Sequence, residues 1–213
     1  NTYREGKVDV DLSADLAKQY LMPLFDKQSL VITKGFVGGT SENFTTTLGR
    51  EGSDYTAALL AYATDADQVT IWKDVPGVLN ADPKIFERTV QISELSYHDA
   101  IELSYYGASV IHPKTIKPLQ NKNIPLYVRS FADPPIKGTV VRDNEHRSAV
   151  TSYIVKENQI LISIMPKDFS FIAEDNLSEI FGKFSSHHVR INMMQNSALS
   201  FSVCADNEMQ KTI

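Results

Sequence analysis

Through the first two-thirds of the chain, short apolar runs of strand length alternate with longer amphipathic stretches of helix length. This alternation limits the fold more than any other feature. Leu12, Leu16, Tyr20 and Leu21 mark one face of a predicted helix with Ser13 as its cap, which Pro23 ends or kinks. The run Leu-Val-Ile-Thr at 30–33 reads as a short buried strand, closed by the glycine-bearing stretch at 35–39. After a polar loop, Ser53 or Asp54 is expected to cap a helix through Ala57, Ala58, Leu59 and Leu60. Val69, Ile71, Lys73 and Val75 alternate along a strand that stops at Pro76 and Gly77. Ser96, with Asp99 three residues on, resembles a capping box for a helix to Tyr106, and Gly107 suits its end. His112 and Pro113 open a further helix to about Lys122, and residues 124–131 form another strand. Strict alternation of helix and strand predicts an α/β domain whose mostly parallel sheet is covered on both faces.

The rhythm breaks over residues 133–148, where Pro134, Pro135, Gly138 and a charged run from Arg142 to Arg147 intervene. A domain boundary is expected near Ser148. Beyond it come a strand at 160–165 and a helix with Leu177, Ile180, Phe181 and Phe184 at i, i+3, i+4 and i+7. A strand at 189–194 follows, and then one in which Leu199, Phe201 and Val203 alternate with Ser200, Ser202 and Cys204. The order β-α-β-β is most of a ferredoxin-like α+β unit, whose last helix and strand would begin near Asn207. Two domains, 1–148 and 149–213, fit a chain of 213 residues.

Composition excludes several classes of function. At 42% hydrophobic and 22% charged, the chain has enough apolar mass for a core, and its longest apolar runs fall far short of the ~20 residues of a membrane span. A net charge of −5 argues against a nucleic-acid surface. One cysteine, Cys204, excludes an internal disulfide framework and a cysteine-based zinc site, which fits a reducing, cytoplasmic compartment. The five histidines show no metal-ligand spacing, so no metal site is expected. Neither a Gly-x-x-x-x-Gly-Lys phosphate loop nor a Gly-x-Ser-x-Gly elbow occurs.

Two stretches could carry chemistry. In the run from Thr45 to Thr56, Gly49 and Gly52 let backbone amides approach a ligand, and Arg50 offers a planar fork for a carboxylate. Ser53 and Asp54 sit at a helix start, where anions are favoured, and Asp54 could accept hydrogen bonds from lysines that themselves hold phosphates. A surface loop with an aspartate cap accounts for the same residues. In the run from Trp72 to Lys84, a strand ends in a glycine turn, the place where open α/β sheets bind ligands. Lys73 and Lys84 could neutralise phosphates and Asp74 could hydrogen-bond a sugar or base. A strand, a turn and solvated lysines explain that pattern as well.

Taken together, the stretches resemble aspartate kinases of the amino-acid kinase family. The resemblance runs from Ile-Thr-Lys-Gly-Phe-Val-Gly at 32–38 through Thr-Thr-Leu-Gly-Arg-Glu-Gly-Ser-Asp at 46–54 to Trp-Lys-Asp-Val-Pro-Gly at 72–77. It continues through Asp82-Pro83, Glu-Leu-Ser-Tyr-Tyr-Gly-Ala at 102–108, His112-Pro113 and Gly-Thr-Val at 138–140. It implies the family's three-layer sandwich and transfer of the γ-phosphoryl of ATP, bound with Mg2+, to the β-carboxylate of L-aspartate, the first step towards lysine, threonine and methionine. Arg50 would clamp the aspartate carboxylate, Gly52 and Ser53 would line its pocket, and Phe36 would follow the glycine that lines the cleft. Asp54 would organise phosphate-binding lysines, while Lys73, Asp74, Leu79, Lys84, Ser109 and Val110 fall at nucleotide-contacting positions.

Three departures stand out. The family's opening Lys-Phe-Gly-Gly-Thr-Ser segment and its acidic substrate contact do not occur, so residues 1–148 read as the nucleotide-binding half, expected not to turn over alone. Ser109 replaces the lysine often found before the Val-Ile-His-Pro run, and Glu51 stands where glycine is frequent.

Residues 149–213 resemble the start of an ACT regulatory domain. Asn192 and a turn at Gln195, Asn196 and Ser197 match positions where effectors dock between paired ACT units. The implied effector is lysine or threonine, and the implied assembly is a homo-oligomer joined through ACT domains. A structural βαββ unit with a polar hairpin remains an alternative. For the whole chain, the alternatives are a kinase for acetylglutamate or glutamate and a non-catalytic amino-acid-sensing subunit.

Overall fold

The computed structural model describes residues 7–107, 110–144, 150–168 and 174–207. The chain divides into two compact units, Asn1–Ile154 and Val155–Ile213.

The first unit opens with helix α1 (Val10–Tyr20) and the short turn α2 (Met22–Phe25). The cap of α1 is Asp9, whose carboxylate accepts from Leu12 N–H at 3.0 Å, rather than Ser13, which lies inside the first turn. Residues 30–33 do not form the expected strand. A run that is apolar on both faces needs a neighbouring ladder and cover on each side. No described strand pairs with it, and Ile32 is 87% exposed. An antiparallel hairpin of β1 (Val37–Gly39) and β2 (Thr45–Thr47) follows, which the sequence reading took for loop.

Helix α3 (Gly52–Thr64), strand β3 (Val69–Lys73), strand β4 (Glu94–Ser96), helices α4 (Tyr97–Tyr106) and α5 (Pro113–Asn121), and strands β5 (Leu126–Ser130) and β6 (Thr139–Arg142) build the rest. The sheet order is β3-β5-β6-β4. The β3–β5 and β4–β6 pairs are parallel, and β5–β6 is antiparallel. Strands β4 and β6 escaped the sequence reading because each is very short, and β6 lies in the stretch rich in proline, glycine and charge that resembled a boundary. Val75 falls beyond β3.

Alternation along these strands sends Val69 and Ile71, Leu126 and Val128, Val141 and Leu95 to one face. There they pack with Ala58 and Ala61 of α3, Ala100 of α4, and Ile116 and Leu119 of α5 in a single core. On the opposite face Trp72 is half-exposed, and the guanidinium of Arg129, its register partner, lies 5.2 Å from the ring centroid. The caps read from sequence at α4 and α5 are present: Ser96 Oγ accepts from Asp99 N–H at 3.0 Å, and His112 Nδ1 from Lys114 N–H at 3.1 Å. Buried Tyr97 donates its hydroxyl to Ile124 C=O at 2.7 Å. Burial first, and then the charge of Asp143, pushes its pKa up to about 12.

The second unit contains β7 (Gln159–Ile164), α6 (Glu174–Ser186), β8 (Ile191–Asn196) and β9 (Phe201–Asp206). Its sheet is antiparallel throughout, in the order β7-β9-β8. Phe201, Val203 and Ala205 are buried, and the Phe201 ring meets Phe181 of α6 edge-on at 5.5 Å.

Candidate functional site

The site is built where α3 begins. Glu51 sits in the left-handed region at φ +54° as the N-cap and makes no side-chain cap bond. The expected cap at Ser53 or Asp54 is therefore displaced, because the helix already starts at Gly52 and both residues lie in its first turn. The segment at 35–36 lies across that turn. Phe36 N–H donates to Thr56 Oγ1 at 3.1 Å, Thr56 Oγ1 donates to Gly52 C=O at 2.8 Å, and Leu48 N–H donates to Phe36 C=O at 2.9 Å. The approach leaves little room for a side chain at either glycine. A Cβ on Gly35 would lie 3.2 Å from Ser53 Cα, and one on Gly52 would lie 2.9 Å from Phe36 Cδ2 and 3.0 Å from Leu48 Cβ. Phe36, Gly52 and Ser53 are thereby held together beside exposed Arg50, which makes no hydrogen bond or ion pair among the described residues.

Asp54, three-quarters of a turn into α3, points at the sheet. Its Oδ2 lies 2.7 Å from Nζ of Lys73, the last residue of β3, and side-chain exposures of 15% and 23% shield the pair from bulk water. At that exposure the ion pair is less screened than a surface bridge. Asp74 follows directly and is exposed. Beyond it the chain folds into an anchored loop. Val78 N–H donates to buried Thr139 Oγ1 at 2.8 Å, Thr139 Oγ1 donates to Ile92 C=O at 2.6 Å, and Leu79 bridges Gln91. Exposed Lys84 donates its backbone N–H to Asp82 Oδ1 at 2.8 Å, and among the described residues no side-chain hydrogen bond or ion pair joins Lys84 or Asp74 to the Asp54–Lys73 pair. Val110 is half-buried, and Ser109 lies outside the described residues. A separate cavity of about 430 Å³, bordered by Val10, Leu48, Tyr55, Tyr62 and Pro118, contains none of the expected site residues.

Within the second unit, Asn192 has its amide engaged on both sides. Its Oδ1 accepts from Lys156 Nζ at 2.8 Å, and its Nδ2 donates to Gln159 Oε1 at 2.6 Å and Asp206 Oδ1 at 2.8 Å. Gln159 Nε2 and Lys156 Nζ also donate to Asp206, at 2.8 and 2.7 Å. These donors, Gln159 foremost, hold the Asp206 carboxyl well below the usual carboxylate range. Gln195 and Asn196 belong to strand β8, paired with Ser202 and Phe201, instead of to a turn. The turn itself is closed by Ser197, whose Oγ accepts from Ser200 N–H at 3.1 Å.

The sequence reading missed the residues that hold these segments in place. Thr56 and Gly35 fix the 35–36 crossing, and Thr139 fixes the start of the 78–84 loop. Thr56 and Thr139 stand in the sequence only as members of longer motifs, and Gly35 only as the glycine expected to line the cleft.

Residues 5–130 match the amino acid kinase family, and the chain belongs to it. The chain is 36% identical over 206 residues to lysine-sensitive aspartokinase 3 of Escherichia coli, a stretch that is 95% of this chain and 45% of that protein. Two crystal structures of E. coli aspartokinase III superimpose well. The form in complex with aspartate and ADP (R-state) does so with a TM-score of 0.81 at 34% identity, over 97% of this chain and 46% of that one. The form with lysine and aspartate (T-state) gives 0.78 at 35% identity, over 95% and 45%. The chain thus spans less than half the length of these relatives. Among the described residues no helix is long and apolar enough to cross a membrane, and no three His, Cys, Asp or Glu side chains gather as a metal site.

Proposed function

We propose that the complete polypeptide is an aspartate kinase, transferring the γ-phosphoryl of MgATP to the β-carboxylate of L-aspartate to give 4-phospho-L-aspartate and ADP. One observation carries this reading. The Asp54–Lys73 ion pair joins the start of α3, with its carboxylate-binding residues, to the carboxyl end of β3, where nucleotides dock in open α/β sheets. The E. coli relatives solved with aspartate, ADP and lysine support it. Arg50 takes a substrate carboxylate, Gly52 and Ser53 line that pocket, and Phe36 closes it. Lys73, Asp74, Leu79, Lys84, Ser109 and Val110 contact the nucleotide, with Mg2+ arriving as part of it.

The chemistry needs no protein base. The acceptor carboxylate is already ionised at neutral pH, its free pKa being about 3.9. One of its oxygens forms the bond to the γ-phosphorus, and the electron pair of the broken bond leaves on the terminal oxygen of ADP. Negative charge is what the site must manage, so its residues act by positioning and neutralisation.

Residues 1–148 serve in this reading as the nucleotide-binding half of the kinase, and 149–213 as the start of an ACT domain. Through that domain lysine or threonine inhibits and copies of the chain associate, with Asn192, Gln195, Asn196 and Ser197 at the effector site. A cytoplasmic location suits a chain whose one cysteine is a free thiol.

The test is hydroxylamine trapping of acyl phosphate by the complete polypeptide with MgATP and L-aspartate, glutamate replacing aspartate as control. Aspartate-dependent product, cut by at least about tenfold in Arg50→Ala through loss of a charge-assisted contact, is expected. A folded complete chain that forms no product refutes the reading.

A further inference from the structure

We propose that the cavity between α1, α3 and α5 binds a small organic anion with an aromatic body, and that its occupant acts on the acceptor side of the neighbouring site. The binding stands apart from the kinase reading, and only the effect on the acceptor side rests on it.

Residue spacing builds the cavity. Tyr55 and Tyr62 are seven residues apart on α3, two turns along one face, and both border the space. From α5 come Lys114, Lys117 and Asn121, at i, i+3 and i+7 of one stripe, with Pro118 beside them. The chain entering α1 adds Lys7, Val8 and Val10, and buried Leu48 completes the apolar lining. At about 430 Å³ the space falls within the roughly 300–1,000 Å³ of small-ligand pockets.

The lining selects the ligand. Among the described residues three lysines and no Asp or Glu border the cavity, in a chain whose net charge is −5. Lys7 and Lys117 are exposed and make no ion pair among the described residues. Ammonium groups gathered round one opening repel one another, and an anion between them relieves that repulsion. The walls are apolar or aromatic, so the charge belongs on a ring-bearing molecule rather than on a bare ion. Burial pushes the Tyr55 phenol up, so its hydroxyl stays neutral and available as a donor. The Tyr62 ring is steadied by Lys122, whose Nζ lies 4.3 Å from the ring centroid and donates to Tyr62 C=O at 2.6 Å. An ammonium on the ligand would meet the lysines, which disfavours an aromatic amino acid against a carboxylate or phosphate ester without one.

Two wall residues reach the acceptor pocket. Leu48 N–H donates to Phe36 C=O at 2.9 Å, and Leu48 Cβ is among the atoms that crowd Gly52. Tyr55 follows Asp54 in the first turn of α3, and its N–H donates to Glu51 C=O at 3.1 Å. A ligand against Leu48 and Tyr55 therefore bears on the 35–36 crossing, and on aspartate before nucleotide.

The experiment titrates the complete polypeptide by calorimetry with phenylpropionate and phenyl phosphate, the two arms that tell a carboxylate head from a phosphate. Phenethylamine, L-phenylalanine and inorganic phosphate are the controls. At least one aromatic anion is expected to bind saturably, about tenfold or more tighter than any control. Lys114→Glu and Lys117→Glu, at exposed positions of α5, should each weaken it by about tenfold or more. Lys27→Glu, at an exposed position outside the cavity, should leave it unchanged. Bound ligand should move the KM for aspartate by about fivefold or more, and that for MgATP less. Circular dichroism melts confirm folding, and Lys117→Gln carries the test if a charge reversal does not fold. No saturable binding below about 10 mM, inorganic phosphate bound as well as either aromatic anion, or binding that both reversals leave intact overturns the site. Binding with the aspartate KM unmoved overturns its link to the acceptor side. A folded wild type with no aspartate-dependent product overturns the kinase reading, and the titration still decides the site.

Discussion

Thr139→Val removes one hydroxyl and almost no volume, and the structure says what that hydroxyl does. Thr139 has no exposed surface, and its Oγ1 accepts from Val78 N–H at 2.8 Å while donating to Ile92 C=O at 2.6 Å. Val78 and Ile92 are themselves buried, so neither orphaned backbone group can turn to water. Each buried unsatisfied group costs about 1–3 kcal/mol, so the pair predicts a loss of about 2–6 kcal/mol. Against the ~5–15 kcal/mol of a typical domain, that is a large fraction. With a urea slope of about 2 kcal/mol per molar, the midpoint should fall by roughly 1–3 M. Trp72, the one tryptophan of the chain, lies in the same sheet and reports the transition by its fluorescence. Thr139→Ser is the control, because it keeps the hydroxyl and loses only a methyl, worth about 1 kcal/mol. If Thr139→Val stays within about 0.5 kcal/mol of wild type, or if serine costs as much as valine, the hydroxyl is not the anchor. Nucleotide affinity should fall in step, since Val78 opens the loop that carries Leu79 and Lys84.

Gly52→Ala places a methyl 2.9 Å from the Phe36 ring and 3.0 Å from Leu48 Cβ, so the Phe36 ring must turn aside or the 35–36 segment must shift. Expect a cost of about 1–3 kcal/mol from overpacking and a KM for aspartate raised more than that for MgATP, read by thermal melts and steady-state kinetics. Asp206→Asn tests the second unit. The folded carboxyl titrates below its unfolded value of about 3.9, so its contribution is present above that pH and is lost as pH falls towards the folded value. Unfolding of wild type should therefore steepen below about pH 4, and the Asn variant should be less stable at neutral pH yet flatter in acid. Identical acid profiles for the two proteins would show that the cluster at Asp206 contributes nothing.

Much of the fold was legible where a local signal and the tertiary environment agree. Ser96 and His112 cap the helices they precede, and Val69–Lys73 and Leu126–Ser130 alternate as half-buried strands should. The failures share a physical cause, which is that pairing is not local. Residues 30–33 have strand chemistry but no described ladder beside them, while Thr139–Arg142 has β-branched strand chemistry over only four residues, between Gly138 and a charged run, and takes a central place because β5 and β4 flank it. At the site, spacing brought out Gly52, Ser53 and Asp54, because a helix start is read from contiguous residues. It left open which lysine would meet Asp54, since Lys73 lies 19 residues away and arrives only through packing of β3 beneath α3. The engaged amide of Asn192 was equally invisible, for its three partners come from positions 156, 159 and 206.

The position of β6 bears on the order in which this protein can mature as it leaves the ribosome. The sheet of the first unit reads β3-β5-β6-β4, so an interior strand is supplied by the last segment of that sheet to be synthesised. Until residue 142 has emerged, β4 lacks its partner among the described strands, and Val78 N–H and Ile92 C=O have no Thr139 between them. A nascent chain halted shortly before residue 139 would hold every motif from Arg50 to Lys84 and still lack a closed sheet to present them. Four residues at the end of that sheet thus complete the described part of the donor side.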